Sequence, residues 1–311
     1  MEIKYLQNSE IDRIKWDRCV ATSLQQLPYA YSWYLDAAAE NWDAIVINNY
    51  EAVFPLPWKK KWGLRYVYPP FFIQQLGFFS AQKHDSVLID KVLTEASKHF
   101  KYIELYLNFV DEPKEVEILR RNFELNLNAS IANLRANYSE NTRRNIKKAE
   151  GLNLNVQKVS FADKIIDLFR KGRGAQLKTL DNDDYKRFEI ILQKSEHHST
   201  VQHYEVSTLE GELYAGACLL KTNGRVIFIF SGNTDEGRKS GAMHFLIDHM
   251  IKEHSGREMI FDFEGSNDEN LARFYQSFGA KNKPYSFVKI NKLPFPYNLF
   301  KQGRPSADGS P

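Results

Sequence analysis

The sequence has little cysteine: two residues in 311, Cys19 and Cys218. Two thiols so far apart argue against a disulfide framework and against a thiolate metal site. Eight histidines are present, but none has zinc-protease spacing. His197-His198, His244, His249 and His254 read as surface residues, so no metal is expected. No apolar run approaches the length needed to cross a bilayer, and Met1-Glu2-Ile3-Lys4 opens without a signal-peptide pattern. The expectation is a cytoplasmic protein without membrane insertion. An excess of one sign of charge is lacking too. A formal net charge of +3 is too slight to demand nucleic acid, so tRNA is not the favoured partner.

What is present is a normal globular share of hydrophobic residues, 43%, with 14% aromatic, on a chain long enough for one large or two ordinary domains. The clearest patterning lies between about 201 and 290. Strands are expected at 201–208, 213–221 and 225–231, with turns at Glu210-Gly211 and Asn223-Gly224. A helix over 242–252 carries the apolar rows Ala242, Leu246, Met250 and Met243, Ile247, Ile251. A strand at 258–264 completes a crossover unit, which makes it parallel to 225–231.

Gly237-Arg238-Lys239-Ser240-Gly241-Ala242 then falls at a helix N-terminus after a central strand. Such a place is either receptive to phosphate, through backbone N–H groups and the helix dipole, or an ordinary Gly-rich turn. The next helix starts with capping-box spacing at Ser266-Asn267-Asp268-Glu269 and closes at Gly279. Its buried side carries Leu271, Phe274, Tyr275 and Phe278, and the Tyr275 hydroxyl needs a partner. Asp262 and Glu264 alternate onto one face of the preceding strand, opposite Phe261 and Phe263. They are either bases near a cleft, with Glu264 closer to the strand end, or acceptors for local N–H groups. A last strand is expected near 286–290.

The first half reads as a layer structure of its own. Helices are expected at 10–21 and 31–41, a hairpin at 44–47 and 52–56, a helix at 86–99 and a strand at 102–107. Pro55-Leu56-Pro57-Trp58 is expected to break regular pairing, since proline cannot donate to a ladder. Lys59-Lys60-Lys61 reads as a solvated loop. The apolar run 66–79 is forced into an extended path by Pro69-Pro70, so it either plugs an interface or lines a cleft. Between strands near 130–134 and 154–159, Ser139 can cap a helix that runs to Ala149 and stops at Gly151. Arg143 with Lys147 and Arg144 with Lys148 are like-charge pairs four apart, each costing about 0.2–0.5 kcal/mol in an isolated helix. That cluster either meets an anion or marks a solvated linker. Helices at 160–174, capped by Ser160, and at 181–198, capped by Asp181, follow. Pro294 and Pro296 signal an irregular excursion, and 303–311 has a disordered composition.

The strand, Arg-x-x-Gly segment, helix, strand order, followed by Asn270-x-Ala272-x-Phe274-Tyr275 and Phe278-Gly279-Ala280, resembles the acyl-CoA N-acyltransferase (GNAT) superfamily. Phe261-Asp262-Phe263-Glu264-Gly265-Ser266 and Tyr138-Ser139-Glu140-Asn141-Thr142-Arg143-Arg144-Asn145-Ile146-Lys147-Lys148-Ala149 are similar to its Fem-like (FemAB-like) branch. The resemblance covers most of 1–292. It implies a mixed α/β (α+β) chain with two tandem GNAT-like folds, each a mainly antiparallel sheet flanked by helices, with a splayed parallel strand pair in the second. The divisions expected are a degenerate N-terminal domain at 1–135, a basic linker helix at 136–151, a site-bearing C-terminal domain at 152–292 and an irregular tail at 293–311.

By this resemblance the function is N-acyl transfer from acyl-CoA, such as acetyl-CoA, to a small-molecule or peptide amine. Gly237, Arg238, Lys239, Ser240, Gly241 and Ala242 would cradle the pyrophosphate, Tyr275 would protonate the leaving group and Glu264 would serve as base. Tyr68, Gln75, Arg143, Arg144, Lys147 and Asp262 would contact substrate. An aminoacyl-tRNA-dependent transferase acting on a peptidoglycan precursor is the alternative, with Arg143, Arg144 and Lys147 on phosphates. Met243, where the GNAT loop carries Gly or Ala, leaves room for a third reading, a non-catalytic fold that binds a ligand or partner.

Overall fold

Local side-chain caps start most of the helices. Asp12, Asp85, Ser130, Ser139, Asp181, Thr234 and Asp268 each accept backbone N–H groups of the turn that follows, satisfying donors that have no partner within the helix. The structure is a computed structural model and describes residues 1–108, 116–172, 174–176, 180–198, 200–295 and 297. The chain runs β1 (Ile3–Leu6), α1 (Arg13–Ala21), α2 (Ser32–Ala38), β2 (Asn41–Ile47), β3 (Ala52–Lys61), β4 (Leu64–Val67), β5 (Phe79–Ser80), α3 (Ser86–His99), β6 (Tyr102–Leu107) and β7 (Val116–Arg120). It continues through β8 (Phe123–Asn126), α4 (Ile131–Ala136), α5 (Glu140–Gly151), β9 (Asn155–Val159), α6 (Asp163–Lys171), α7 (Asn182–His197), β10 (Val201–Ser207), β11 (Leu213–Lys221) and β12 (Arg225–Asn233). Last come α8 (Asp235–Ser240), α9 (Ala242–His254), β13 (Ile260–Asp262), α10 (Glu269–Gln276), β14 (Lys281–Asn282) and β15 (Tyr285–Asn291).

Two compact units result, one of Met1–Arg121 with the chain from Pro284, the other of Asn122–Lys283. The first holds a sheet in the order β1-β2-β3-β4-β6-β15-β7, with β5 on β3. Its ladders are antiparallel apart from β4 on β6. The second holds β14-β8-β13-β12-β11-β10-β9, antiparallel apart from β12 on β13. The expected divisions at 135 and 292 therefore do not match the sheets. β8 joins the second sheet, and the last strand, expected to close the second fold, pairs with β6 and β7 in the first. Nothing local in 285–291 selects a sheet; its partners lie more than 160 residues upstream, where register cannot be read from periodicity.

Other expectations change for local reasons. The stretch near 130–134 is helix α4 rather than strand, because Ser130 caps it. The cap of α6 falls at Ala162, without a side-chain bond, rather than at Ser160. β3 runs through Pro55 and Pro57, both paired in register with β2. The Pro57 carbonyl accepts the Tyr68 N–H at 3.1 Å, so the donor-less edge of both prolines faces away from β2 and costs that ladder nothing. The second and third lysines of the expected basic loop end this same strand and are exposed.

In the second unit Ala215, Ala217 and Leu219 of β11 share a core with Leu246, Ile247 and Met250 of α9. On the opposite face Gly216 meets Ile165 of α6. α9 is thus nearly enclosed. His254 is buried and His244 and His249 are half-buried, contrary to the surface reading; only His197-His198 lie exposed as expected.

Candidate functional site

β12 and β13 pair over three residues only, Arg225 with Ile260, Val226 with Phe261 and Ile227 with Asp262. β13 then ends, while β12 runs on to Asn233. Opposite β11, Cys218 faces Phe230 and Leu219 faces Phe228, so Ile229 is an extra, bulged residue just past the parting. Among the described residues no strand pairs with the rest of β12 on that side. A bulge beside an open strand edge re-aims backbone N–H and C=O groups into a gap, where an extended ligand can meet them as a strand would.

Aromatic rings close the gap's inner end. The Tyr275 ring is 4.9 Å from Phe263 and 6.1 Å from Phe123, and Phe263 is 6.4 Å from Phe228 of β12. Tyr275 is buried on α10, as the periodicity required. Glu264 is not on a strand. It follows the end of β13 at φ +59°, a left-handed conformation that costs a non-glycine residue about 1–2 kcal/mol. Its N–H donates to Asp262 Oδ1 at 2.9 Å and its carbonyl accepts from Phe123 N–H at 3.2 Å. The expected alternation of Asp262 and Glu264 on one face is therefore broken where the strand stops.

Asp262 has a structural task. It is fully buried, 2.5 Å from the Arg225 guanidinium, which also lies 2.7 Å from Glu124. Burial opposes the charge on Arg225, but Asp262 and Glu124 outweigh it and keep the guanidinium protonated. Asp262 so paired is no free base.

The predicted phosphate loop is mostly helix. Gly237, Arg238, Lys239 and Ser240 belong to α8, whose cap Thr234 already takes the Gly237 and Arg238 N–H groups through its hydroxyl and carbonyl. Arg238 pairs with Asp235 and donates to the Asn233 carbonyl; the Ser240 hydroxyl donates to the Gly237 carbonyl at 3.0 Å. Gly241, at φ +81°, breaks the helix before Ala242 opens α9, and a Cβ there would lie 2.5 Å from the Asn145 carbonyl oxygen of α5. A Cβ at Gly237 would lie 2.2 Å from the Tyr214 carbonyl. Both glycines are explained by close backbone approach, without a ligand.

α5 begins as expected, capped by Ser139, but runs through Gly151 to a cap at Leu152 instead of stopping before that glycine. Its Thr142 hydroxyl donates to Ser277 Oγ at 2.7 Å, and Ser139 N–H to the Ser277 carbonyl at 2.8 Å, which ties it to the end of α10. Arg143 donates to the Tyr138 carbonyl at 2.7 Å and Arg144 to Asn141 Oδ1 at 2.9 Å; with Lys147 and Lys148 they form an exposed basic face.

Tyr68 and Gln75 belong to the first unit. The Tyr68 hydroxyl accepts the Glu40 N–H at 3.3 Å with Lys59 over its ring, and buried Gln75 donates to Gln74 at 2.7 Å.

Sequence reading missed His244. In the first turn of α9 its ring packs 4.9 Å from Phe274 and 5.9 Å from Phe278, and burial lowers its pKa to about 4. It is a neutral imidazole one ring away from Tyr275, since Phe274 touches both. Its clue was position: a histidine between the two apolar rows of α9, opposite the aromatic row of α10.

No family model and no curated protein matches the sequence. Among solved structures FemX matches with a TM-score of 0.65 at 14% identity, covering 97% of this chain and 100% of that one. The chain has a Fem-like GNAT fold. The same Fem-like fold relates it to a conserved protein of unknown function from Bacteroides thetaiotaomicron VPI-5482, with a TM-score of 0.60 at 10% identity over 94% of this chain and 100% of that one. It also matches the C-terminal domain of a putative lysylphosphatidylglycerol synthetase from Agrobacterium fabrum, with a TM-score of 0.53 at 12% identity over 93% and 94% of the two chains. At these identities the likeness is one of fold. In the Fem-like frame the parting of β12 and β13 is the splayed parallel pair expected from sequence.

Proposed function

We propose that this protein transfers an acyl group from an activated thioester or ester to an amine. The observation that carries the reading is the parting of β12 from β13 at Ile227, with a bulge at Ile229 and the ring cluster of Tyr275 beside it. An acyl donor laid along β12 would present its carbonyl to re-aimed backbone N–H groups, which stabilise the charge that develops on oxygen. The amine attacks that carbonyl, the bond to the leaving sulfur or oxygen breaks, Tyr275 supplies the leaving group's proton and Glu264 takes the amine's. Positioning both substrates supplies most of the rate, with the acid and base adding about 10²–10⁴-fold.

Acetyl-CoA is one donor for this reaction. One observation favours the other. With Gly241 packed on Asn145 and Arg238 held by Asp235, the segment meant to cradle a pyrophosphate is committed to the fold, while α5 presents a basic face to solvent. An aminoacyl-tRNA donor, with a peptidoglycan-precursor acceptor, makes use of that face. Calorimetric titration of the intact protein with acetyl-CoA, and separately with charged tRNA at low and moderate salt, tests both. Saturable acetyl-CoA binding supports the first donor; tRNA binding that weakens steeply with salt and in Arg144→Glu/Lys147→Glu supports the second. Binding of neither removes the transferase reading.

A further inference from the structure

The turn between β3 and β4 carries an unusual residue for its backbone. Lys61 pairs in register with Leu64, so only Trp62 and Gly63 link the strands. They lie at φ +49° and +81°, both left-handed, as the favoured two-residue hairpin turn requires. Glycine and asparagine take that conformation readily, whereas a bulky residue holds it under strain. Trp62 is moreover 65% exposed, so burial of its indole recovers little of that cost.

The strand ends beside it are basic. Lys59, Lys60 and Lys61 close β3, the last two exposed, and Lys60 stands directly opposite Arg65 of β4. Like charges so opposed destabilise a ladder. Arg65 lies over the Trp58 and Phe100 rings, 5.2 Å from each centre, and 3.5 Å from Asp43; Lys59 lies 3.9 Å from Glu40. Lys60 and Lys61 remain for the tip, and the Lys61 ammonium sits 4.9 Å over the Trp62 ring. Tyr297 adds a second ring, 6.3 Å from Trp62 and 39% exposed. A strained, exposed indole among lysines is costly in water. At the boundary of an anionic bilayer it is favoured: the indole lies at headgroup depth, and lysine stems follow the apolar layer while their ammonium groups meet phosphate.

We infer that the β3–β4 hairpin is a peripheral docking tip for an anionic lipid surface, with Trp62 as the interfacial anchor and Lys60 and Lys61 as the electrostatic contacts. RNA would also meet lysines and a ring, but it is held in basic grooves that track its backbone and on open ring faces. A two-residue turn is convex, and Lys61 already covers one face of this ring. The tip shares no residue with the transfer site.

The full chain is sedimented with vesicles of phosphatidylcholine alone and of equal parts phosphatidylcholine and phosphatidylglycerol. Binding to the mixed vesicles only, weakening as salt is raised, is expected. Each lysine near an anionic surface contributes about fivefold in affinity, so Lys60→Gln/Lys61→Gln should bind about 25-fold more weakly. Trp62→Asn should also bind more weakly while its unfolding midpoint holds or rises, because asparagine suits the turn; a residue kept for packing would lower it. The double lysine variant alters exposed side chains only and carries the test whatever happens to the turn. No binding to the mixed vesicles, or binding that the lysine variant retains in full, overturns the proposal. In the first case, retention of uncharged tRNA that the same variant loses would assign the tip to RNA.

Discussion

Replacing Arg225 by methionine isolates the charged group beneath the candidate site. The Arg225 side chain is 12% exposed, Asp262 1% and Glu124 19%. Removing the cation leaves Asp262 buried beside a second carboxylate, and breaking a buried pair from one side costs about 3–5 kcal/mol. With an m-value of about 2–3 kcal/mol per M, a loss of about 4 kcal/mol lowers the urea midpoint of the second unit by roughly 1.3–2 M. Circular dichroism during urea titration measures it, and Arg225→Met/Asp262→Asn is the control. With the buried negative charge also gone, the double variant should recover most of the loss. A single-variant cost below about 1 kcal/mol would refute the argument, as would a double variant no more stable than the single. In either case Asp262 would return as a candidate for chemistry, because its carboxylate would not be held in place by Arg225.

Gly241→Ala should cost about 2–3 kcal/mol, from a left-handed backbone and a Cβ driven onto the Asn145 carbonyl; thermal unfolding measures it, and ligand loss in any Gly241 variant reports the fold before it reports phosphate. Tyr275→Phe should fold as the wild type does and lose about 10²–10⁴-fold in turnover of any substrate that the binding tests identify; steady-state kinetics showing full turnover would remove Tyr275 from the mechanism. For His244 the unfolded imidazole takes a proton near pH 6.5 and the folded one only near 4. Between those values the unfolded chain binds more protons, so stability is intact above about 6.5 and falls as pH drops through the window. The full shift sets a ceiling of about 3 kcal/mol, reduced to roughly half by the ring's partial exposure; His244→Phe should flatten that slope in urea midpoints measured from pH 7 to 4.

Elements with a local cause were legible. Ser139 started α5, Asp181 started α7, Asn223-Gly224 separated β11 from β12, and Leu271, Phe274, Tyr275 and Phe278 gave the buried side of α10. The parallel pairing of β12 and β13 followed from strand, helix, strand order. Gly237 and Gly241 carry the same letters whether a ligand or a neighbouring backbone comes close, and here Tyr214 and Asn145 approach them. Asp262 and Glu264 failed as a pair because alternation holds only while a strand lasts, and β13 stops between them.

The sequence by itself determined most helix starts and the turns between strands, through local capping, spacing and apolar periodicity that act within a few residues, and its motifs resemble the Fem-like branch closely enough to anticipate the fold. Only the tertiary structure decided which sheet receives β15, that Asp262 is spent on Arg225, and that His244 is neutral. Each of those depends on partners from distant parts of the chain and on how much water the fold removes around them. Periodicity carries information about one element's faces; it carries none about what the other elements bring to meet them.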